Sequence, residues 1–400
     1  MQKLKGTAVV AHGGGPTAVI NASLAGVIEE RRRHGEIVAL YGARHGIQGV
    51  LAEDFLDLDR EDPNLIELIA RTPGSALGSC RYKVKEPDYE RILEVFRAHN
   101  VRYFFYTGGN DSMDTTMKVA QLARQSGYEL RAIGIPKTID NDLAETDHSP
   151  GYGSAALFYA CALRDIGADL RELPGRVTVV EVMGRNAGWL TAATALARHQ
   201  PDDPPHLIYL PERPLPAEKL LADVEAVYRR LGYAVVAVCE GQRDEKGEPF
   251  GADLIAADGF AHALAGNLAH ALSQLIARRL KLRARSEKPG LLGRTSAAFV
   301  SESDRQEARI CGREAVHAAL EGESEKMVTL VREPGAAYRV RTGLVELERV
   351  ANVERRFPTE WIHPEGNDVL GPFLEYARPL TGEIAPRARL SGTPVPRRLG

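Results

Sequence analysis

Two short apolar runs, Val101–Tyr106 and Leu130–Ile135, each open into a polar cluster, and this pairing limits the fold more than any other feature of the chain. Thr107-Gly108-Gly109-Asn110-Asp111-Ser112-Met113-Asp114 follows the first run, and Pro136-Lys137-Thr138-Ile139-Asp140-Asn141-Asp142 follows the second. Between them, Ser112–Gly127 places apolar residues at helical spacing (Met113, Met117, Ala120) and stops at a glycine. The pattern predicts buried parallel strands joined by a helix. Both polar clusters then lie beyond the carboxyl ends of neighbouring strands, where open α/β sheets bind ligands.

The residue types in the two clusters suit phosphoryl transfer. Gly108-Gly109 lets the backbone approach an anion, and the helix opening beside it offers unpaired N–H groups and a positive dipole end. Asp140, Asn141 and Asp142 supply oxygens that can accept a proton from an attacking hydroxyl or hold Mg2+. Lys137 can neutralise charge on a transferring group. Either cluster alone is equally consistent with a capped turn or a solvated loop. Their occurrence at consecutive strand ends favours a site.

The same junction recurs along the chain. Gly6–Ala11 is an expected strand running into His12-Gly13-Gly14-Gly15-Pro16-Thr17 and a helix from about Ala18 to Arg33. This is a second anion cradle, without the Gly-Lys-Ser/Thr ending of a Walker A loop. Ile37–Tyr41 is another strand. Thr72–Arg81 is a turn-rich loop whose arginine, Arg81, can reach a phosphate or stand solvated. Helices are expected over Asp88–His99, Ala155–Gly167, Trp189–Ala197, Ala217–Leu231, Gly259–Leu280 and Ser303–Leu320. Strands are expected over Arg176–Val182, Leu207–Leu210 and Tyr233–Val238, with a hairpin in Val328–Val345. Met183-Gly184-Arg185-Asn186-Ala187-Gly188 forms a third strand-turn-helix junction, and Arg285–Arg294 reads as a basic loop. From Pro358 onward, proline, glycine and arginine predict a wrapping tail with little regular structure. Alternating strands and helices throughout predict two α/β lobes.

Composition narrows the partners. A formal net charge of −3 leaves no global basic field, which argues against nucleic acid. No apolar run is long enough to span a bilayer, and the opening Met1-Gln2-Lys3-Leu4-Lys5 has no signal-peptide pattern. The four cysteines are scattered without metal-type spacing, as expected of thiols in a reducing compartment. A cytoplasmic protein with no membrane partner is the expectation.

The glycine turn with Asn21, GGND, TIDND, EVMGR and the late two-arginine loop, in this order over roughly residues 6–320, resemble the 6-phosphofructokinase family. The resemblance implies two Rossmann-like lobes of mostly parallel sheets with the active site in the cleft between them. It assigns residues 1–150 plus about 293–345 to a donor-binding lobe. Residues 151–292 plus about 346–400 would form a sugar-phosphate-binding lobe and C-terminal tail. It implies Asp140 as the general base toward the sugar's 1-hydroxyl, with Arg81 and Lys137 stabilising the transferring phosphoryl group. Thr138, Asp142, Met183, Gly184, Arg185 and Glu240 would line the fructose 6-phosphate pocket. Arg176, Arg285 and Arg294 would bind its 6-phosphate, some of them from a neighbouring subunit of a homodimer or homotetramer. Gly14 and Gly109 would touch the donor, and Asn110 would face the metal.

Donor choice rests on two positions. Family members that use ATP have glycine where this chain has Asp111 and Lys137, and the diphosphate-dependent branch has Asp and Lys. Asp111 would obstruct and repel an α-phosphate, while Lys137 suits diphosphate as donor and leaving group. The implied activity is a reversible, Mg2+-dependent transfer from inorganic diphosphate to fructose 6-phosphate, a step of glycolysis and gluconeogenesis. Three positions depart from the family pattern: Asn110 for a metal-binding aspartate, Leu291 for a histidine or tyrosine, and Gly293 for a glutamine. They leave open an ATP-dependent phosphofructokinase or a sedoheptulose-7-phosphate kinase of the same fold. A non-catalytic sugar-phosphate sensor is the alternative of another class. No GxGxxG with a ribose-binding acid supports an oxidoreductase.

Overall fold

The computed structural model describes residues 4–250, 267–335, 337–390, 392 and 394–398. Eleven strands among these form two sheets: β1 (Gly6–His12), β2 (Ile37–Ala43), β3 (Phe55–Asp57), β4 (Val101–Gly108), β5 (Arg131–Pro136), β6 (Val177–Val182), β7 (Leu207–Tyr209), β8 (Ala234–Cys239), β9 (Ala284–Glu287), β10 (Lys326–Arg332) and β11 (Val340–Glu346). The larger sheet runs β11-β10-β5-β4-β1-β2-β3, and the smaller runs β7-β8-β6-β9. Every pairing is parallel except the two edges of the larger sheet, β2 with β3 and β10 with β11.

Continuous apolar strands build the interior because helices cover both faces. Ala8, Val10, Tyr103, Phe105, Ile133 and Ile135 pack on one side of the larger sheet, and Val9, Ala11, Phe104, Tyr106 and Ala132 on the other. The chain leaves β1 for β2 on one side, while β4 lies on the other. A topological switch point therefore opens between β1 and β4, and both glycine turns emerge there.

After the smaller sheet the chain returns to the larger one. Helix Glu302–Leu320 packs closely against helix Ile20–Arg31, and two glycines permit this contact. A Cβ on Gly26 would fall 2.1 Å from the Arg309 carbonyl oxygen, and one on Gly312 would fall 2.0 Å from that of Ser23.

Four expectations need correction. Arg285–Arg294 is not all loop: Ala284–Glu287 forms the edge strand β9 and Leu292–Thr295 a short helix. Its polar alternation, half-buried then exposed, hid an edge strand that buries only one side. Helix Ala155–Gly167 extends over Tyr152–Glu172, because Gly167 is a contact rather than a stop. A Cβ there would meet Pro204 Cγ at 1.8 Å. The helix expected over Trp189–Ala197 is α-helical only to Ala193 and continues as a 3-10 turn. The tail is more ordered than its composition suggests, since Gly371–Thr381 is a helix that buries Phe373, Ala377 and Leu380 in the core of the second lobe. Helix Gly259–Leu280 is seen as Leu268–Leu280, and its expected first residues lie outside the described ones.

Candidate active site

The site forms where the carboxyl ends of the two sheets approach each other. From the first sheet, β1 delivers Gly13–Gly15, β4 delivers Gly108–Asp111, and β5 delivers Lys137–Asp142. Gly14 has φ 76°, a left-handed conformation suited to glycine, and its amide donates to the Cys80 carbonyl at 2.9 Å. That bond draws the loop bearing Arg81 over the glycine turn. Helix Asn110–Gln125 begins at Gly109 with no side-chain cap, so its first amides remain available to an anion.

Lys137 is buried, and its ammonium donates to the Gly15 carbonyl at 2.8 Å. Burial pushes it down to about 8; the positive charges of Arg294 and Arg81 act the same way, and Asp140 and Asp142 oppose them. Half-buried Asp140 shows the mirror image. Burial pushes its carboxyl up to about 7, reinforced by Asp142 and Glu240 and opposed by Arg294 and Lys137. A carboxylate poised near neutrality at a cleft is fit to take a proton from a hydroxyl. The Asp140 amide donates to Thr138 Oγ1 at 3.1 Å. Burial also raises Asp142, while a hydrogen bond with the Thr138 hydroxyl lowers it.

The second sheet contributes Glu240 and the Met183–Arg185 turn. Gly184, at φ 133°, donates its amide to Glu240 Oε1 at 3.2 Å. Arg294 projects from the short helix Leu292–Thr295 toward the first glycine turn, its Nε 3.4 Å from where a Gly15 Cβ would lie. Burial and Arg81 depress its pKa, with Asp140 and Glu240 opposing. Charges of both signs from both sheets thus converge on one cleft.

Other expected residues stand apart. Arg176 precedes β6 and Arg285 lies opposite Thr178 near the amino end of that strand. Gly184 and Glu240 follow the carboxyl ends, the full length of β6 away, or roughly 20 Å. Within one chain these two arginines are not part of the cluster. Leu291 is 68% exposed, and Arg185 and Asp111 are exposed at the rim, Asp111 on the first turn of its helix.

Asn110 bears on metal binding. Its amide is best oriented with nitrogen donating to the carbonyls of Val353 (3.1 Å) and Val350 (3.2 Å). The oxygen then takes the place that lies 3.5 Å from Asp142 Oδ2. Two oxygens then face each other, an arrangement that a bound cation would relieve. Among the described residues no three carboxylate, histidine or cysteine side chains form a complete metal cage.

Several residues around the site escape sequence reasoning. His12 is fully buried and held neutral, its pKa pushed down to about 3 by burial and then by Lys137; its Nδ1 lies 2.8 Å from Ser75 Oγ. Asn141, expected to offer an oxygen to a proton or to Mg2+, is instead wholly buried at φ 57°, a region asparagine tolerates, and its Oδ1 accepts from the Ser149 amide. Arg355 and Tyr376 bind Asn141, and nothing in their own neighbourhoods marks them.

A family model described as Phosphofructokinase matches residues 7–319. Over 391 residues the chain is 44% identical to pyrophosphate–fructose 6-phosphate 1-phosphotransferase from Rhodospirillum rubrum, covering 96% of each protein. It is 42% identical to the protein of the same name from Xanthomonas campestris, over 96% of this chain and 93% of that one. The crystal structure of a pyrophosphate-dependent phosphofructokinase from Nitrosospira multiformis superposes with TM-score 0.87 at 37% identity, covering 98% of both chains. A match of this extent, on a chain whose glycine turns, TIDND loop and EVMGR turn meet in one cleft, has one meaning: the chain belongs to the phosphofructokinase family.

Proposed function

We propose that this enzyme transfers a phosphoryl group reversibly from inorganic diphosphate to the 1-hydroxyl of fructose 6-phosphate, giving fructose 1,6-bisphosphate. The single observation that carries the donor choice is Lys137, a buried ammonium anchored on the first glycine turn, together with Asp111 on the uncapped helix end. Asp140 accepts the hydroxyl proton onto its carboxylate. Lys137 and Arg81 offset negative charge on the transferring group and on the phosphate that leaves. Thr138 and Asp142 contact the sugar phosphate, Met183, Gly184, Arg185 and Glu240 shape its pocket, and Arg294 binds its anionic end with Leu291 at the rim. Gly14 and Gly109 bring backbone against the diphosphate. Residues 1–150 with about 293–345 would form the diphosphate lobe, and 151–292 with about 346–400 the sugar-phosphate lobe.

Mg2+ fits the oxygens of Asn110 and Asp142, and when bound it supplies charge neutralisation for the phosphates. Arg176 precedes β6 and Arg285 is exposed on the edge strand β9, both away from the cluster, so they would serve the site of a neighbouring copy in a homodimer or homotetramer. Among the described residues no helix is long and apolar enough to cross a membrane. Catalysis by positioning and charge is the general pattern for phosphoryl transfer. The test is to assay purified enzyme with fructose 6-phosphate and Mg2+ against diphosphate and ATP in parallel. Turnover with diphosphate and little with ATP is expected, and the reverse preference overturns the reading.

A further inference from the structure

One eight-residue segment, Val350–Phe357, touches three of the loops that carry the site. The carbonyls of Val350 and Val353 receive the Asn110 amide of the GGND turn. Glu354 accepts two hydrogen bonds from Asn186 in the MGRNAG turn, at 3.0 and 3.1 Å, and forms a bridge with Leu143. The Arg355 amide donates to the Asp142 carbonyl at 2.7 Å, and the Arg355 carbonyl accepts from Trp189 Nε1 at 3.2 Å.

The Arg355 side chain is the centre of this strap. Its Nε and Nη2 both donate to the Asn141 carbonyl, at 3.2 and 3.0 Å, while Nη1 donates to Thr146 at 2.7 Å and also to the Asp147 carbonyl. The guanidinium carbon stacks 4.4 Å from the Trp189 ring. Asn141 is wholly buried in a left-handed conformation, its Nδ2 donating to Tyr376 Oη at 2.9 Å and its Oδ1 accepting from Ser149 N at 2.9 Å. A residue in that conformation reverses the chain locally, so its φ and ψ set the directions in which Asp140 and Asp142 leave the backbone. A planar guanidinium gripping its carbonyl from two donors fixes that angle as a flexible ammonium cannot.

We infer that Arg355 is a positioning residue: by clamping the Asn141 peptide it holds Asp140 and Asp142 in reactive geometry and ties them to the turn of the second sheet. The inference rests on Asp140 being the base. The Arg355 guanidinium is spent on backbone carbonyls and the Trp189 ring, so its loss should lower turnover while leaving substrate affinity largely intact. A misplacement of about 1 Å is enough to cost about 10²-fold in rate.

The experiment uses the full-length enzyme with Arg355→Ala and Arg355→Lys. For Arg355→Ala, kcat should fall about 10- to 100-fold while KM for diphosphate and for fructose 6-phosphate moves less than about threefold. Added guanidinium ion should restore several-fold of the lost kcat in Arg355→Ala and none in Arg355→Lys, which fills the space with the wrong donor geometry. The acid limb of the pH–kcat profile should move in Arg355→Ala, because the neighbours of Asp140 shift with the loop. Unchanged kcat in a folded variant, or a loss that tracks the unfolded fraction and resists rescue, overturns the inference. Should Arg355→Ala not fold, Tyr376→Phe removes the single hydroxyl that meets Asn141, Arg355 and the Asp147 carbonyl. A kcat lowered about 3- to 10-fold at unchanged circular dichroism supports the clamp, and an unchanged kcat overturns it. Wild-type enzyme that fails to turn over diphosphate would sink the functional reading itself, which none of the variant comparisons can do.

Discussion

Lys137 Nζ lies 2.8 Å from the Gly15 carbonyl oxygen, so the cation is held on the first glycine turn and not paired with either aspartate of its own loop. Burial in that place keeps its pKa near 8, against 10.5 for an ordinary lysine. Bound diphosphate would return the lost stabilisation by pairing with it. Lys137→Met should therefore lower kcat/KM for diphosphate by about 10²–10³-fold, with a much smaller change in KM for fructose 6-phosphate. The same variant should be more stable than wild type at neutral pH without ligand. The unfolded chain keeps the lysine proton to higher pH than the folded protein, so wild-type stability should rise as pH increases from about 8 to 10.5. Thermal melts of both proteins across that window, with steady-state kinetics, test the two halves together.

Asp140 has the opposite sign. Its folded pKa of about 7 exceeds the ordinary 3.8, so between those values the folded protein holds a proton that the unfolded chain has released. Its contribution to stability falls as pH rises through that window. Asp140→Asn should lose about 10²–10⁴-fold in kcat and gain about 2–4 °C in Tm at pH 8. In wild-type enzyme, kcat/KM for phosphorylation should decline below about pH 7 as the base is protonated. A variant that retains near-wild-type turnover at pH 8 would remove Asp140 from the role of base.

What the sequence made legible was local. Lys137, Asp140 and Asp142 fall within six residues of a strand end, and Gly108, Gly109 and Asn110 within three of another, so apolar period and glycine placement were enough to find them. The Arg355–Asn141 clamp spans 214 positions, and no composition or spacing marks such a contact. Arg176 and Arg285 were visible as residues but not as neighbours. Only the parallel register of β6 with β9, in an edge strand too polar to be recognised, places them together and away from Glu240. The tail helix Gly371–Thr381 was hidden for a related reason. Its aromatic residues acquire a helical role only against Trp189, Phe357 and Trp361.

Asp111 should decide between donors. It sits exposed on the first turn of a helix whose N-terminal amides face the cleft, where an additional phosphate of ATP would meet a fixed negative charge. Like charges brought together at such a site cost several kcal/mol. Asp111→Gly should raise kcat/KM for ATP by about tenfold or more while lowering that for diphosphate. It should also cost about 1 kcal/mol of stability, since glycine is a poor helix former and the dipole loses its acidic partner. A destabilised variant with no gain on ATP would leave the helix argument standing and defeat the donor argument.

Gly293 is enforced by Tyr159. A Cβ at position 293 would lie 2.7–2.9 Å from Cε2, Cζ and Oη of that fully buried ring, which rules out any side chain there unless the ring moves. Gly293→Ala should destabilise the protein by about 1–3 kcal/mol, as overpacking of a filled interior does. The strain falls on the residue before Arg294, to which binding of the sugar phosphate's anionic end is assigned, so KM for fructose 6-phosphate should rise several-fold in the same variant. Combining it with Tyr159→Leu supplies the missing space. The double variant should be less destabilised than the sum of the single ones by about 1 kcal/mol or more, a coupling that a double-mutant cycle in chemical denaturation measures. Simple additivity would mean that the ring yields freely and that the glycine answers to some other constraint.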